Sequence, residues 1–111
     1  MMGEATAGHT NRPSRVAYLI LASLAGGSKH GYALTKDVES FAGVRIAPGS
    51  LYEALARLED QGLIEPLDSA DRRRPYRLTA NGAAVLDDHL RAQEAILTEG
   101  RRRLRQSWNL A

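Results

Sequence analysis

Residues 1–13 show no apolar periodicity, are rich in Gly, Ala and Thr, and end at Pro13, the pattern of a flexible tail. Ser14 then stands as an N-cap before RVAYLILASLA, a run apolar nearly all round that stops at Gly26-Gly27. This predicts a central buried helix with a glycine end. After the turn GGSKH, Leu34, Val38 and Phe41 fall at i, i+4 and i+7, and Gly43 closes a second helix. Pro48 sits at or near the first position of a third helix. Its buried stripe is Leu51, Leu55 and Leu58, and Gly62 is its expected C-terminal cap.

The period then changes. Leu63–Leu67 and Tyr76–Thr79 flank the polar stretch from Ser69 to Arg74, which predicts two short strands around a basic tip. Pro75 cannot donate a ladder hydrogen bond, so it belongs at a strand's start or on an edge. Thr79 is the N-cap of a long last helix from about Ala80 to about Ser107. Along it Leu86, Leu90, Leu97 and Leu104 form a seam, with Gln93 and Gly100 at intervening positions. Three helices, a hairpin and a fourth helix predict a mainly α fold with a small β-hairpin: a winged helix-turn-helix with a C-terminal dimerisation helix. The expected division is a tail over 1–13, the winged helix over 14–79 and the dimerisation helix over 80–111.

Composition narrows the class. At 111 residues, with 43% hydrophobic and 25% charged positions, the chain has the size and profile of one globular domain. It contains no cysteine, so neither disulfides nor thiolate metal sites are available. The N-terminus lacks the apolar core of a signal peptide, and the near-apolar run Val16 to Ala25 is too short to span a bilayer. A cytoplasmic protein with no membrane partner is expected.

Net charge is only +2, yet thirteen of the fifteen basic residues are arginine. Ser69 to Arg77 carries four Arg against one Asp, and Glu99 to Arg105 four Arg against one Glu. Ile46 to Asp68 carries one Arg against five acids. Such segregation is expected where particular elements face a polyanion. From charge alone, merely solvated faces are the favoured reading.

Three blocks carry a resemblance. YLILASLAGGSKHGYAL, PGSLYEALARLEDQGLIE and RRRPYRLTANG are similar to the signature blocks of the PadR family of transcriptional regulators, over about Arg15 to Leu90. The likeness is to short-form members with one C-terminal helix. It implies a homodimeric, ligand-responsive repressor that binds a palindromic operator in double-stranded DNA. It also implies a small apolar or aromatic effector, because family members respond to phenolic acids, antibiotics or other planar apolar compounds.

The third helix is the candidate recognition helix, which must bury one stripe and offer its N-terminal turns to DNA. Off the leucine stripe lie Gly49, Ser50, Tyr52, Glu53 and Arg57. Gly49 permits close backbone approach, and first-turn N–H groups suit a phosphate. Ser50 and the Tyr52 hydroxyl can donate to phosphate, and Arg57 can reach a backbone or base edge. The plain alternative makes Ser50 part of the cap and Tyr52 a packing residue; the residues alone leave the two readings even. Glu53 is repelled by phosphates and is expected to pair with Arg57 at i+4.

Arg72, Arg73, Arg74 and Arg77 concentrate at the hairpin tip, where a wing follows phosphates or enters the minor groove. Tyr76 and Leu78 alternate with Arg77, so Arg77 is expected to face outward. His30 and Tyr32 open the second helix, and the resemblance places both near the DNA backbone. The residues themselves favour a cap for His30 and a half-buried core position for Tyr32.

Enzymatic readings find no support. His9, His30 and His89 lack metal-ligand spacing, so no metal or other cofactor is expected. GGSKHG lacks the Gly-x4-Gly-Lys order of a phosphate loop. Adjacent Asp87 and Asp88 do not form a carboxylate dyad. The remaining alternative is a winged-helix module that binds a protein partner and no DNA. Trp108 lies at the far end of the last helix, where it either lines a dimer interface and stacks on a ligand or stands idle at a frayed end. Arg101-Arg102-Arg103 suit the helix dipole there, with an additional phosphate contact as the alternative.

Overall fold

The computed structural model describes residues 12–69 and 73–110; residues 1–11 of the tail expected over 1–13, and Arg72 of the wing, lie outside the described residues. The order is α1 (Arg15–Ala25), α2 (Gly31–Ala42), α3 (Pro48–Asp60), β1 (Ile64–Pro66), β2 (Tyr76–Leu78) and α4 (Ala80–Trp108). This is a winged helix-turn-helix followed by a long helix.

Local chemistry sets the ends of these elements. The Ser14 hydroxyl accepts the Ala17 N–H at 3.1 Å and starts α1. Gly43, at φ 67°, ends α2. Gly62, at φ 75°, follows α3, and the Leu63 and Gly62 amides donate back to Leu58 and Glu59. That doubly bonded stop reverses the chain straight into β1.

α1 is the hub and touches α2, α3, β2 and α4. Ile20 and Leu21 of α1 are wholly buried, together with Leu34 and Val38 of α2, Leu55 and Leu58 of α3, and Ile64. Phe41 departs from expectation. It is 53% exposed: the buried stripe of α2 ends at Val38, and the next buried side chain is Ile46 in the following loop.

The antiparallel hairpin pairs Ile64 with Leu78, Glu65 with Arg77, and Pro66 with Tyr76. A third segment joins it. Lys29 and Tyr76 exchange both backbone hydrogen bonds, at 3.2 and 2.9 Å, and tie the α1–α2 turn to the wing. The Lys29 ammonium donates to Ser23 O at 2.7 Å, and the buried Ser23 hydroxyl donates to Asp37 at 2.6 Å. The base of the wing is thus fixed to the helical body by backbone and side chain together.

Thr79 closes the junction with α4. Its Oγ1 accepts the Gly82 N–H at 3.0 Å and donates to Gly62 O at 2.7 Å. α4 packs on α1 through its first turns only, and Leu86 is its last core residue. Leu86 therefore belongs to the chain's own core, at the floor of the α1–α4 face, while the later seam positions Leu90, Leu97 and Leu104 are exposed. From Leu90 onward α4 is exposed except at Glu99. There the carboxylate accepts from Arg102 and Arg103, which hold its pKa below the ordinary value. No helix of the described residues is long and apolar enough to cross a membrane.

Candidate nucleic-acid interface

The site begins with an uncapped helix. Ala47 is the N-cap of α3 and offers no side-chain hydrogen bond, and Pro48 has no N–H to satisfy. The amides of the first turn, beside Gly49 and Ser50, are therefore left to solvent or a ligand. Ser50 is exposed and is not the cap, which removes the plain reading of that residue. Leu51, Leu55 and Leu58 are buried, so the core sets the rotation of α3. Tyr52 is turned outward, 61% exposed.

α2 presents its N-terminus to the same region. His30 is the N-cap of α2, its Nδ1 accepting the Ala33 N–H at 3.4 Å. Tyr32 is 67% exposed rather than half-buried in the core. The Lys36 ammonium lies 5.7 Å from its ring centroid, which puts a cation on the face of this aromatic. Gly31 permits the close approach of the two helices: a Cβ there would stand 3.3 Å from Leu51 and 3.5 Å from the Tyr52 hydroxyl.

These residues meet the wing. His30, Gly31, Tyr32, Tyr52, Arg73, Arg74 and Tyr76 line one open cleft of about 660 Å³. Arg73 and Arg74 are exposed, and neither has an ion-pair partner among the described residues. Arg77 faces outward as the strand alternation requires, but its guanidinium is engaged by Glu65 across the hairpin, with Nε at 2.9 Å. Its charge is thereby partly neutralised.

Arg57 is not part of this cluster. It lies farther along α3, beside Arg12, Ser14 and Gln61. The expected Glu53–Arg57 pair does not form among the described residues, and both side chains are exposed. Tyr76 is the residue that sequence reasoning did not place in the site. Its alternation with Arg77 announced a packing face; only the assembled structure shows that Tyr76 lines the cleft. Among the described residues no three His, Cys, Asp or Glu side chains converge as metal ligands.

The arrangement has relatives. The model of the PadR-like family of transcriptional regulators matches residues 20–88. A transcriptional regulator of Mycobacterium tuberculosis is 39% identical over 83 residues, covering 72% of this chain and 77% of that protein. An uncharacterized 37.1 kDa protein in a transposon of Streptomyces fradiae is 45% identical over 76 residues, or 68% of this chain. That stretch spans only 22% of the Streptomyces protein. The crystal structure of a PadR family transcription regulator from Clostridium difficile superposes with a TM-score of 0.74 at 25% identity. It covers 82% of this chain and 99% of that one. With the fold, the helix order and the family match in agreement, the chain belongs to the PadR-like family of transcriptional regulators.

Proposed function

We propose that the chain is a sequence-specific DNA-binding repressor that acts as a homodimer on a palindromic operator and is released by a small apolar or aromatic effector. The observation that carries the DNA reading is the shared cleft. An uncapped recognition helix, two exposed tyrosines and two wing arginines without an ion-pair partner among the described residues open on one face. Neutral donors on rigid helices and flexible cations at a tip are the two kinds of group that position a protein on phosphates. Residues 14–79 form the DNA-binding unit in this reading, and residues 80–111 the dimerisation helix.

Within that unit His30, Tyr32, Gly49, Ser50 and Tyr52 set register against the backbone. Arg73 and Arg74, with Arg72, follow the phosphates or the minor groove. Arg77, held by Glu65, and Arg57, one side away, make peripheral contacts. Exposed Leu90, Leu97 and Leu104 support the dimer, because half of α4 otherwise projects into water without packing. Two-fold symmetry then sets half-sites about 10 bp apart, or a multiple of that. The effector follows from family membership.

Selection of bound fragments from random DNA tests this reading, repeated with a panel of small planar apolar compounds. Enrichment of a two-fold motif, with affinity falling steeply as salt rises, is the expected result. Binding without sequence preference, or none at low salt, refutes it and favours a protein-binding module.

A further inference from the structure

Two apolar features of this chain are exposed among the described residues. One is a cleft of about 540 Å³ between α1 and α4, where Tyr18, Leu19, Phe41, His89 and Leu90 are among the lining residues. Tyr18 and His89 stack within it at 3.5 Å between centroids and 7° between planes. The other is the projecting end of α4, with Leu97 55% exposed, Leu104 42% and Trp108 72%.

The spacing along α4 relates them. Leu97 is the midpoint of its stripe: Leu90 and Leu104 lie seven residues to either side, and Leu86 and Trp108 eleven. Eleven residues of helix rise about 16 Å. A two-fold axis beside Leu97 therefore brings Leu104 of one copy level with Leu90 of the other, and Trp108 level with Leu86 and the cleft.

Charge selects the antiparallel arrangement. Before Leu97, α4 carries Asp87, Asp88 and Glu94 against Arg91; after it, Arg101, Arg102, Arg103 and Arg105 against Glu99. Antiparallel pairing lays the acidic half on the basic half, whereas parallel pairing stacks the arginine clusters. Asp87, Glu94 and Arg101 also follow one another at seven-residue spacing on one flank, so Glu94 falls beside Arg101 of a second copy. Neither Glu94 nor Arg101 has an ion-pair partner among the described residues.

From this we infer that Trp108 of a second copy, with its Leu104, seats in the α1–α4 cleft against the Tyr18–His89 stack. Each cleft is completed only across the two-fold axis. The inference deepens the dimeric reading proposed above and rests on it.

The test uses two properties of the full chain: it has one tryptophan and no cysteine. Emission therefore reports Trp108 alone. In the dimer it should be blue-shifted from that of N-acetyltryptophanamide and shielded from acrylamide. Dilution through the dissociation measured by sedimentation should return both to solvent values. Phe41→Ala, at the exposed rim, should leave the dimer intact and raise quenching. Trp108→Ala should weaken dimerisation roughly tenfold or more, as truncating a buried aromatic anchor does.

Register is read separately by oxidation of cysteine variants. Leu90→Cys combined with Leu104→Cys should yield a covalent dimer, and Leu90→Cys alone should not. A dimer in which Trp108 stays fully quenchable overturns the docking and leaves the dimer standing, as does cross-linking by Leu90→Cys alone. A chain monomeric at micromolar concentration overturns both.

Discussion

Gly82 lies in the first turn of α4, where the helix passes closest to the end of the α3 turn. A Cβ built on it would stand 2.0 Å from Leu63 O and 2.8 Å from Leu78 Cδ1. To clear the 3.0 Å below which Cβ contacts essentially do not occur, helix and carbonyl must part by 1.0 Å. The carbonyl has little freedom to yield. It accepts the Thr79 N–H at 3.1 Å, and the Thr79 hydroxyl is itself held by Gly62 O. Gly82→Ala therefore drives a wedge into the joint of hairpin and helix. Overpacking costs about 1–3 kcal/mol, and each compromised hydrogen bond about 1 kcal/mol. The better helix propensity of Ala returns about 1 kcal/mol. The net expectation is a destabilisation of about 3 kcal/mol, a fall in Tm of roughly 15 °C for a domain of this size. Gly49→Ala is the control. Its Cβ would meet nothing within 4 Å, so stability should hold or rise by up to about 1 kcal/mol. Thermal and urea unfolding followed by far-ultraviolet circular dichroism measure both. A Gly82→Ala protein as stable as its parent would refute the contact on which this reasoning depends.

Arg73→Ala with Arg74→Ala should weaken operator and random duplex alike, and lower the salt slope by roughly one per lost phosphate contact; an unchanged slope makes the wing a solubilising hairpin. Tyr52→Phe should cost about 1–3 kcal/mol of DNA affinity if its hydroxyl bonds phosphate. Because Tyr52 is exposed, its thermal stability should stay level, and a matching fall in stability would return the ring to a packing role. Leu90→Asp with Leu97→Asp should give a folded monomer with lost operator affinity by sedimentation and gel shift. Both positions lie outside the chain's own core, and a variant that still dimerises would place the interface elsewhere.

Most of the fold was legible because its signals are local. A serine before an apolar run, a threonine before the last helix, and glycines at positive φ after α2 and α3 act within four residues of themselves. The leucine stripe of α3 likewise announces which face is buried, since rotation about a helix axis follows from spacing alone. The candidate site was legible in its parts: Ser50, Tyr52, Arg73 and Arg74 stand outside every buried stripe.

What those parts do together was a tertiary matter. Periodicity says that a side chain faces a neighbour but not which neighbour. Phe41 continued the α2 stripe by spacing, yet it stands exposed on a cleft rim while Ile46 from a loop is buried. Leu86 and Leu90 belong to one seam by sequence, but α1 covers the first and not the second. Glu65 and Arg77 are twelve residues apart and become partners only through the hairpin register. Lys29 binds Tyr76 across forty-seven positions, and no local pattern encodes that bridge. The sequence by itself determined which elements form, where they stop and which face of each is apolar, because those depend on short-range hydrogen bonds and helical period. Only the tertiary structure decided which apolar faces cover one another, which carboxylate engages Arg77, and that α2, α3 and the wing open on a single cleft. Those depend on contacts between segments far apart in the chain.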